Sequence, residues 1–190
     1  MARSIGWHVV FGSADRSHRG RYTKDLQQAG IEVWHAPYLK DFHNFLSQQG
    51  QRFDAVILSR YYVAQELLQL VKKHCPQAQI LFDTVDLHFL REEREAELKN
   101  SATLKRLAAG TRKQELNLMT NSDTTLVVSP VEQKLLNDII PDVKVEVLSN
   151  IHELHGCKKG FDERKDILFI GGFQHPPNID AMQWFIKDIW

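Results

Sequence analysis

Seven short apolar runs punctuate this chain, at residues 7–11, 31–35, 55–58, 80–82, 124–128, 143–148 and 167–170. Each has the length of a buried strand, and helical patterns fill most of the gaps between them. Strands separated by helices cannot pair as tight hairpins; they join through crossovers, which make neighbours parallel. The predicted class is therefore α/β, an open, mostly parallel sheet with helices on both faces. Helix ends are legible too. Residues 22–29 run into Gly30 and residues 42–49 into Gly50, each glycine sitting where a left-handed residue closes a helix. Val63, Leu67, Leu70, Val71 and His74 share one helical face before Pro76 stops the pattern.

A long helical region spans residues 89–121, with a break expected near Gly110 and an i,i+4 pair between Arg91 and Glu95. Lys105, Arg106, Arg112 and Lys113 form a basic stripe on it, read as a solvated face, with an anionic acceptor or membrane surface as the other reading. Ser129-Pro130-Val131-Glu132 carries a capping box directly after a strand. In the last stretch, Gly171-Gly172 follows the run at 167–170, Asn178 is a candidate N-cap, and Ile179, Met182, Ile186 and Ile189 recur at helical spacing up to Trp190. The polar segment 156–165, including Lys158 and Lys159, reads as a linker.

Lys+Arg and Asp+Glu both total 24, so no global field recruits nucleic acid. The two cysteines, Cys75 and Cys157, have no CxxC spacing, which points to a reducing cytoplasm, with Cys75 a small packed residue. No apolar run approaches a membrane span, so membrane contact is at most peripheral.

The richest chemical cluster is Asp83-Thr84-Val85-Asp86-Leu87-His88, released at the carboxyl end of a strand, where open α/β sheets place their ligand crevice. An Asp–His pair can do acid–base work, and carboxylates accept hydrogen bonds from sugar hydroxyls. The same carboxylates equally suit capping of the helix that follows. His152 and His155 flank Glu153 without the further ligands that a metal site needs, and His175 suits either a phosphate or sugar contact or an exposed loop. The phosphate-loop, dinucleotide, nucleophile-elbow and zincin motifs are absent.

Together, ILFDTVDLHFLREEREAEL at 80–98, LVVSPVEQKLL at 126–136, VLSNIHE at 147–153 and DILFIGGFQHPPNIDAMQWF at 166–185 resemble the group 1 glycosyltransferases of the GT-B fold. The segments at 22–33 and 53–60 fit that family less specifically. The resemblance implies a Rossmann-like acceptor-side domain over residues 1–155, a linker at 156–165 and the incomplete start of a nucleotide-sugar donor domain at 166–190. It further implies sugar transfer from a nucleotide-diphosphate sugar to a glycan or lipid-linked acceptor, with retention and with neither metal nor other cofactor. By similarity, Gly171 and Gly172 match the donor diphosphate loop, Asn150 the asparagine near the domain crossover, and Asp83–His88 an acceptor-side loop. Val85 stands where many relatives carry a histidine, leaving Asp86 and His88 as the catalytic candidates and Asp83 as an acceptor-side one.

The family pattern also sets expectations about extent. Gly6-Trp7-His8-Val9 is similar to a strand that normally follows a first βα unit, and the family's later basic phosphate ligands and Glu-x7-Glu carboxylates have no counterpart after Trp190. The chain thus reads as a truncated enzyme that does not itself turn over donor. Two other readings are a non-catalytic Rossmann-like module, docking on a partner or a second copy through the helix at 179–190, and a sugar-nucleotide epimerase of the same architecture.

Overall fold

The computed structural model describes residues 6–152, 155–157 and 160–190; the Glu153 between the paired histidines and the linker lysines Lys158 and Lys159 lie outside the described residues. The chain divides into two compact units, Met1–Asn150 and Ile151–Trp190.

Six of the seven apolar runs form strands, all in the first unit. β1 (Val10–Gly12) pairs in parallel with β2 (Glu32–Trp34), and α1 (Arg21–Gln28) connects them. β3 (Ala55–Ser59), β4 (Gln79–Asp83), β5 (Thr124–Val127) and β6 (Val145–Val147) form a four-stranded parallel sheet in chain order. α2 (Phe42–Gln49) precedes β3, α3 (Tyr61–His74) joins β3 to β4, α4 (His88–Leu98) and α5 (Ala102–Thr120) join β4 to β5, and α6 (Pro130–Ile139) joins β5 to β6. The α/β class and the parallel pairing match the sequence reading.

The two faces of the four-stranded sheet are buried unequally. Leu58, Phe82, Thr125 and Val145 are mutual neighbours across the strands and share a face, and all are buried. That face meets Leu67, Leu68 and Val71 of α3, Leu118 and Met119 of α5 and Leu136 of α6 in one core cluster. On the other face, Ile57 is 56% exposed and Leu81 half-buried, while Thr124 and Leu126 of β5 are buried. Crossovers between neighbouring parallel strands are right-handed, so a sheet that grows in one direction places its crossover helices on one side. Each fully buried large side chain in that cluster contributes about 1.5–3 kcal/mol of transfer free energy.

Three local readings change in the structure. The long helix breaks at Lys99–Ser101, not at Gly110: Asn100 adopts φ +44°, and Ser101 caps α5 by accepting from Leu104 N. Gly110 lies inside α5, where the flanking packing outweighs its modest propensity cost. Arg91 pairs with Asp86 and Glu95 with Lys99, in place of the Arg91–Glu95 pair. Gly50 is right-handed at φ −58°, unlike Gly30 at φ +75°; it is glycine because a Cβ there would stand 2.3 Å from the His74 carbonyl oxygen.

The second unit holds α7 (Pro176–Trp184), a π-helical turn at Phe185–Ile189 and a 3-10 turn at Phe161–Glu163. The expected strand at 167–170 does not form: Ile167, Leu168 and Ile170 are 67%, 81% and 86% exposed, and among the described residues no strand pairs with them. A β-strand has no internal hydrogen bonds, so apolar sequence alone does not hold one. His175, not Asn178, is the N-cap of α7; the Asn178 side chain reaches back to the Gly172 carbonyl at 3.0 Å. Among the described residues, no helix is long and apolar enough to cross a membrane.

Candidate functional site

Parallel strands bring their carboxyl ends to one edge, so Ser59-Arg60, Asp83–His88, Val128-Ser129 and Leu148–Asn150 follow the strands there. Asp83 is held from several sides. Ser59 Oγ donates to its Oδ2 at 2.8 Å, the Val85 amide to its Oδ1 at 3.2 Å, and the Arg60 amide to its backbone carbonyl at 2.8 Å. Thr84, fully buried, ties the loop to β5 through its amide and hydroxyl, both donating to the Leu126 carbonyl. Two non-glycine residues here adopt left-handed backbone, Arg60 at φ +77° and the β-branched Val85 at φ +64°. Such a conformation costs about 1–3 kcal/mol for a branched side chain and persists only where surrounding contacts over-determine it.

Asp86 and His88 differ sharply in access. The Asp86 side chain keeps 35% of its surface in solvent and pairs with Arg91 Nη1 at 2.5 Å. His88 is 6% exposed; its Nδ1 lies 3.2 Å from the Asp86 carbonyl and 3.5 Å from the Asp86 carboxylate, with its ring edge-on to Tyr61 at 5.0 Å. Asp83 and Asp86 are therefore half-buried in the loop, and His88 is buried beside Asp86. Neither carboxylate serves as the side-chain cap of α4, whose N-cap is Leu87. That work falls to Glu115 of α5, fully buried, which accepts from the His88 amide at 3.2 Å and the Phe89 amide at 2.7 Å. Burial pushes the Glu115 carboxyl up to about 7, against the pull of those two amides. Tyr61 is also pushed up, first by burial and then by Glu92 and Glu115.

The capping box at Ser129 forms with one substitution of partner. Ser129 Oγ accepts from Glu132 N at 3.3 Å, while Glu132 reaches past the cap to the Val128 amide at 3.1 Å. Asn150 is exposed at the end of the first unit. Gly171 and Gly172 lie in the second unit, where the loop folds onto α7: a Cβ on Gly171 would meet the Phe169 ring at 2.7 Å and Asn178 Nδ2 at 2.8 Å, while Gly172 has open space. Of the basic stripe, Arg112 is engaged by Glu93 at 3.1 Å and lies over the Phe89 ring, while Lys105 and Arg106 face solvent. Cys75 is buried and Cys157 exposed, the latter accepting from Arg164 Nη2 at 3.2 Å; His152, His155 and His175 are exposed. Among the described residues, no group of three or more His, Cys, Asp or Glu is placed to hold a metal ion.

Two concavities lie at the opposite, amino edge of the strands. One of about 420 Å³ is lined by Lys72, Asn121 and Asp123 among others, and one of about 520 Å³ by Trp7, His8, Arg52 and Asp54 among others. Several polar linings of the first are occupied by junction contacts: Lys72 Nζ donates to Asn121 Oδ1 at 3.1 Å, and the Ile80 amide to Asp123 Oδ2 at 2.7 Å. The carboxyl edge is the better candidate because its carboxylates are oriented and its backbone strained.

Sequence reasoning missed Ser59, Arg60 and Glu115. Ser59 and Arg60 carried a usable signal, since they follow the adjacent strand. Glu115 carried none, because its partners lie 26 and 27 residues away. No protein-family model, curated protein or solved structure matches the chain.

Proposed function

We propose that the chain carries the Rossmann-like acceptor-side domain of a GT-B glycosyltransferase that moves a sugar from a nucleotide-diphosphate sugar to a glycan or lipid-linked acceptor. The observation that carries this reading is the pair of carboxylates Asp83 and Asp86, oriented at the carboxyl edge by Ser59 and Arg91. Carboxylates that are already fixed accept hydrogen bonds from sugar hydroxyls without a further ordering cost. Asp86, half-buried and paired with Arg91, is the group proposed for proton transfer, with His88 Nδ1 3.5 Å from its carboxylate. Gly172, with open space over its Cα, and Asn150 are the proposed donor contacts, and Gly171 shapes the loop. Transfer is proposed to be retaining, in the cytoplasm and without a metal.

The test is titration of the chain with a panel of acceptor oligosaccharides, followed by amide chemical shifts. Shifts centred on residues 83–88 are expected, with Asp83→Asn and Asp86→Asn each weakening binding about tenfold, the size of one charged hydrogen bond. Asparagine keeps an oxygen for Ser59, so the fold is retained. Absence of shifts at millimolar glycan would remove the acceptor reading.

A second reading is favoured by the second unit: Ile179, Ile186 and Ile189 expose 39%, 62% and 55% of their surface. A non-catalytic module would use this helix against a partner or a second copy. Sedimentation at micromolar concentration separates the two, because a monomer leaves homodimerisation without support.

A further inference from the structure

None of the surface of Glu115 reaches solvent. A buried carboxylate ordinarily needs a cation beside it, since removing the charge from water costs several kcal/mol. Arg112, three residues back on the same helix, is instead bonded to Glu93 and stacked over Phe89, and Lys113 is exposed to solvent. Glu115 spends its two oxygens on the amides of His88 and Phe89, the first residues of α4, in place of the cap oxygen that Leu87 cannot offer. The titratable and charged groups facing it are Asp86 from the loop, His88 and Glu92 from α4, and Tyr61 from α3. Arg91, which would offset those carboxylates, is bonded to Asp86. His88 Nδ1 lies 3.7 Å from Glu115 Oε1 and 3.5 Å from Asp86 Oδ1, and so stands between the buried and the half-buried carboxyl.

We propose that Glu115 is a proton switch for the Asp83–His88 loop, gaining and losing a proton within the folded chain and so changing its hold on the first two amides of α4. The ionised group accepts at both oxygens, whereas the neutral group turns one of them into a donor. That donor loosens its grip on one amide and faces His88 Nδ1, whose other neighbour is Asp86. Burial, reinforced by the Asp86 and Glu92 charges, raises the group from 4.5 to about 7, which places the change near neutrality. Because the folded chain binds this proton more tightly than the unfolded one, the stability it adds is complete below pH 4.5 and is lost as pH rises through about 7. The functional meaning of the switch rests on the acceptor reading of the loop; the switch itself does not.

The experiment is urea unfolding of the full chain between pH 5 and 8, wild type against Glu115→Gln. The wild-type folding equilibrium constant is expected to fall on the order of a hundredfold more across this range than that of Glu115→Gln. Equal falls in the two proteins overturn the proposal, as does a fall that survives in Glu115→Gln and disappears in His88→Gln. Should Glu115→Gln not fold, the wild type decides alone: the Glu115 carboxyl carbon and the His88 and Phe89 amide protons titrate together with a midpoint near 7, and a midpoint near 4.5 overturns the switch. Glycan titration is read separately. Failure of glycans to bind while the titration persists removes the acceptor reading and leaves the switch standing.

Discussion

The segments at 80–98 and 166–185 carry the same pattern, an apolar run, a polar loop and a helix, yet only the first becomes a βα unit. β4 pairs with strands on both sides and buries Ile80 and Phe82, whereas the run at 167–170 finds no neighbour and leaves Ile170 86% exposed. An amphipathic helix can close its own hydrogen bonds; a strand borrows all of its bonds from neighbours. Hydrophobic pattern therefore states what a segment would do beside a sheet, and pairing decides whether it does so.

The largest effect that tests this contrast is a phenylalanine pair. Phe82→Ala, at a fully buried site, is expected to cost about 3–5 kcal/mol in denaturant unfolding. Phe169→Ala, in the unpaired run, is expected to cost less than about 0.5 kcal/mol. Equal costs would break the comparison and mean that residues 167–170 are packed in solution. Hydrogen exchange gives a finer reading: amides of β4 and β5 should exchange only through global opening, with those at 167–170 on the order of a thousandfold faster. The helix caps supply the smallest effect. Ser129→Ala should destabilise by about 1 kcal/mol, because Ser129 caps a helix packed into the core. Asn178→Ala, whose bond to Gly172 lies in a unit with no buried residue among those described, should fall within about 0.3 kcal/mol of wild type. A larger effect at Asn178 would raise the second unit to the standing of the first.

The local order of the first unit was legible because its signals are short in range. Alternating runs, Ser129 before Pro130, and Pro76 after a helical face act within a few residues, and the strands and helices follow them. The carboxylate loop at Asp83–His88 was also legible, since the end of a parallel strand is a place the pattern itself defines. Other features were set by contacts between segments far apart. Gly50 is glycine because of the His74 carbonyl, a neighbour that local periodicity does not reveal. The helix break moved to Asn100 because a capped junction lets α4 and α5 pack on one another, which outweighs a single glycine.

By itself, then, the sequence determined the α/β class, the parallel strands and the position of two carboxylates at one sheet edge, because periodicity and caps act through neighbouring residues. Only the tertiary structure decided which sheet face carries the main core cluster, that Val85 is held left-handed, and that Glu115 caps α4 at His88. Burial and backbone strain are properties of distant segments brought together, and a carboxylate acquires an altered proton affinity only once they enclose it.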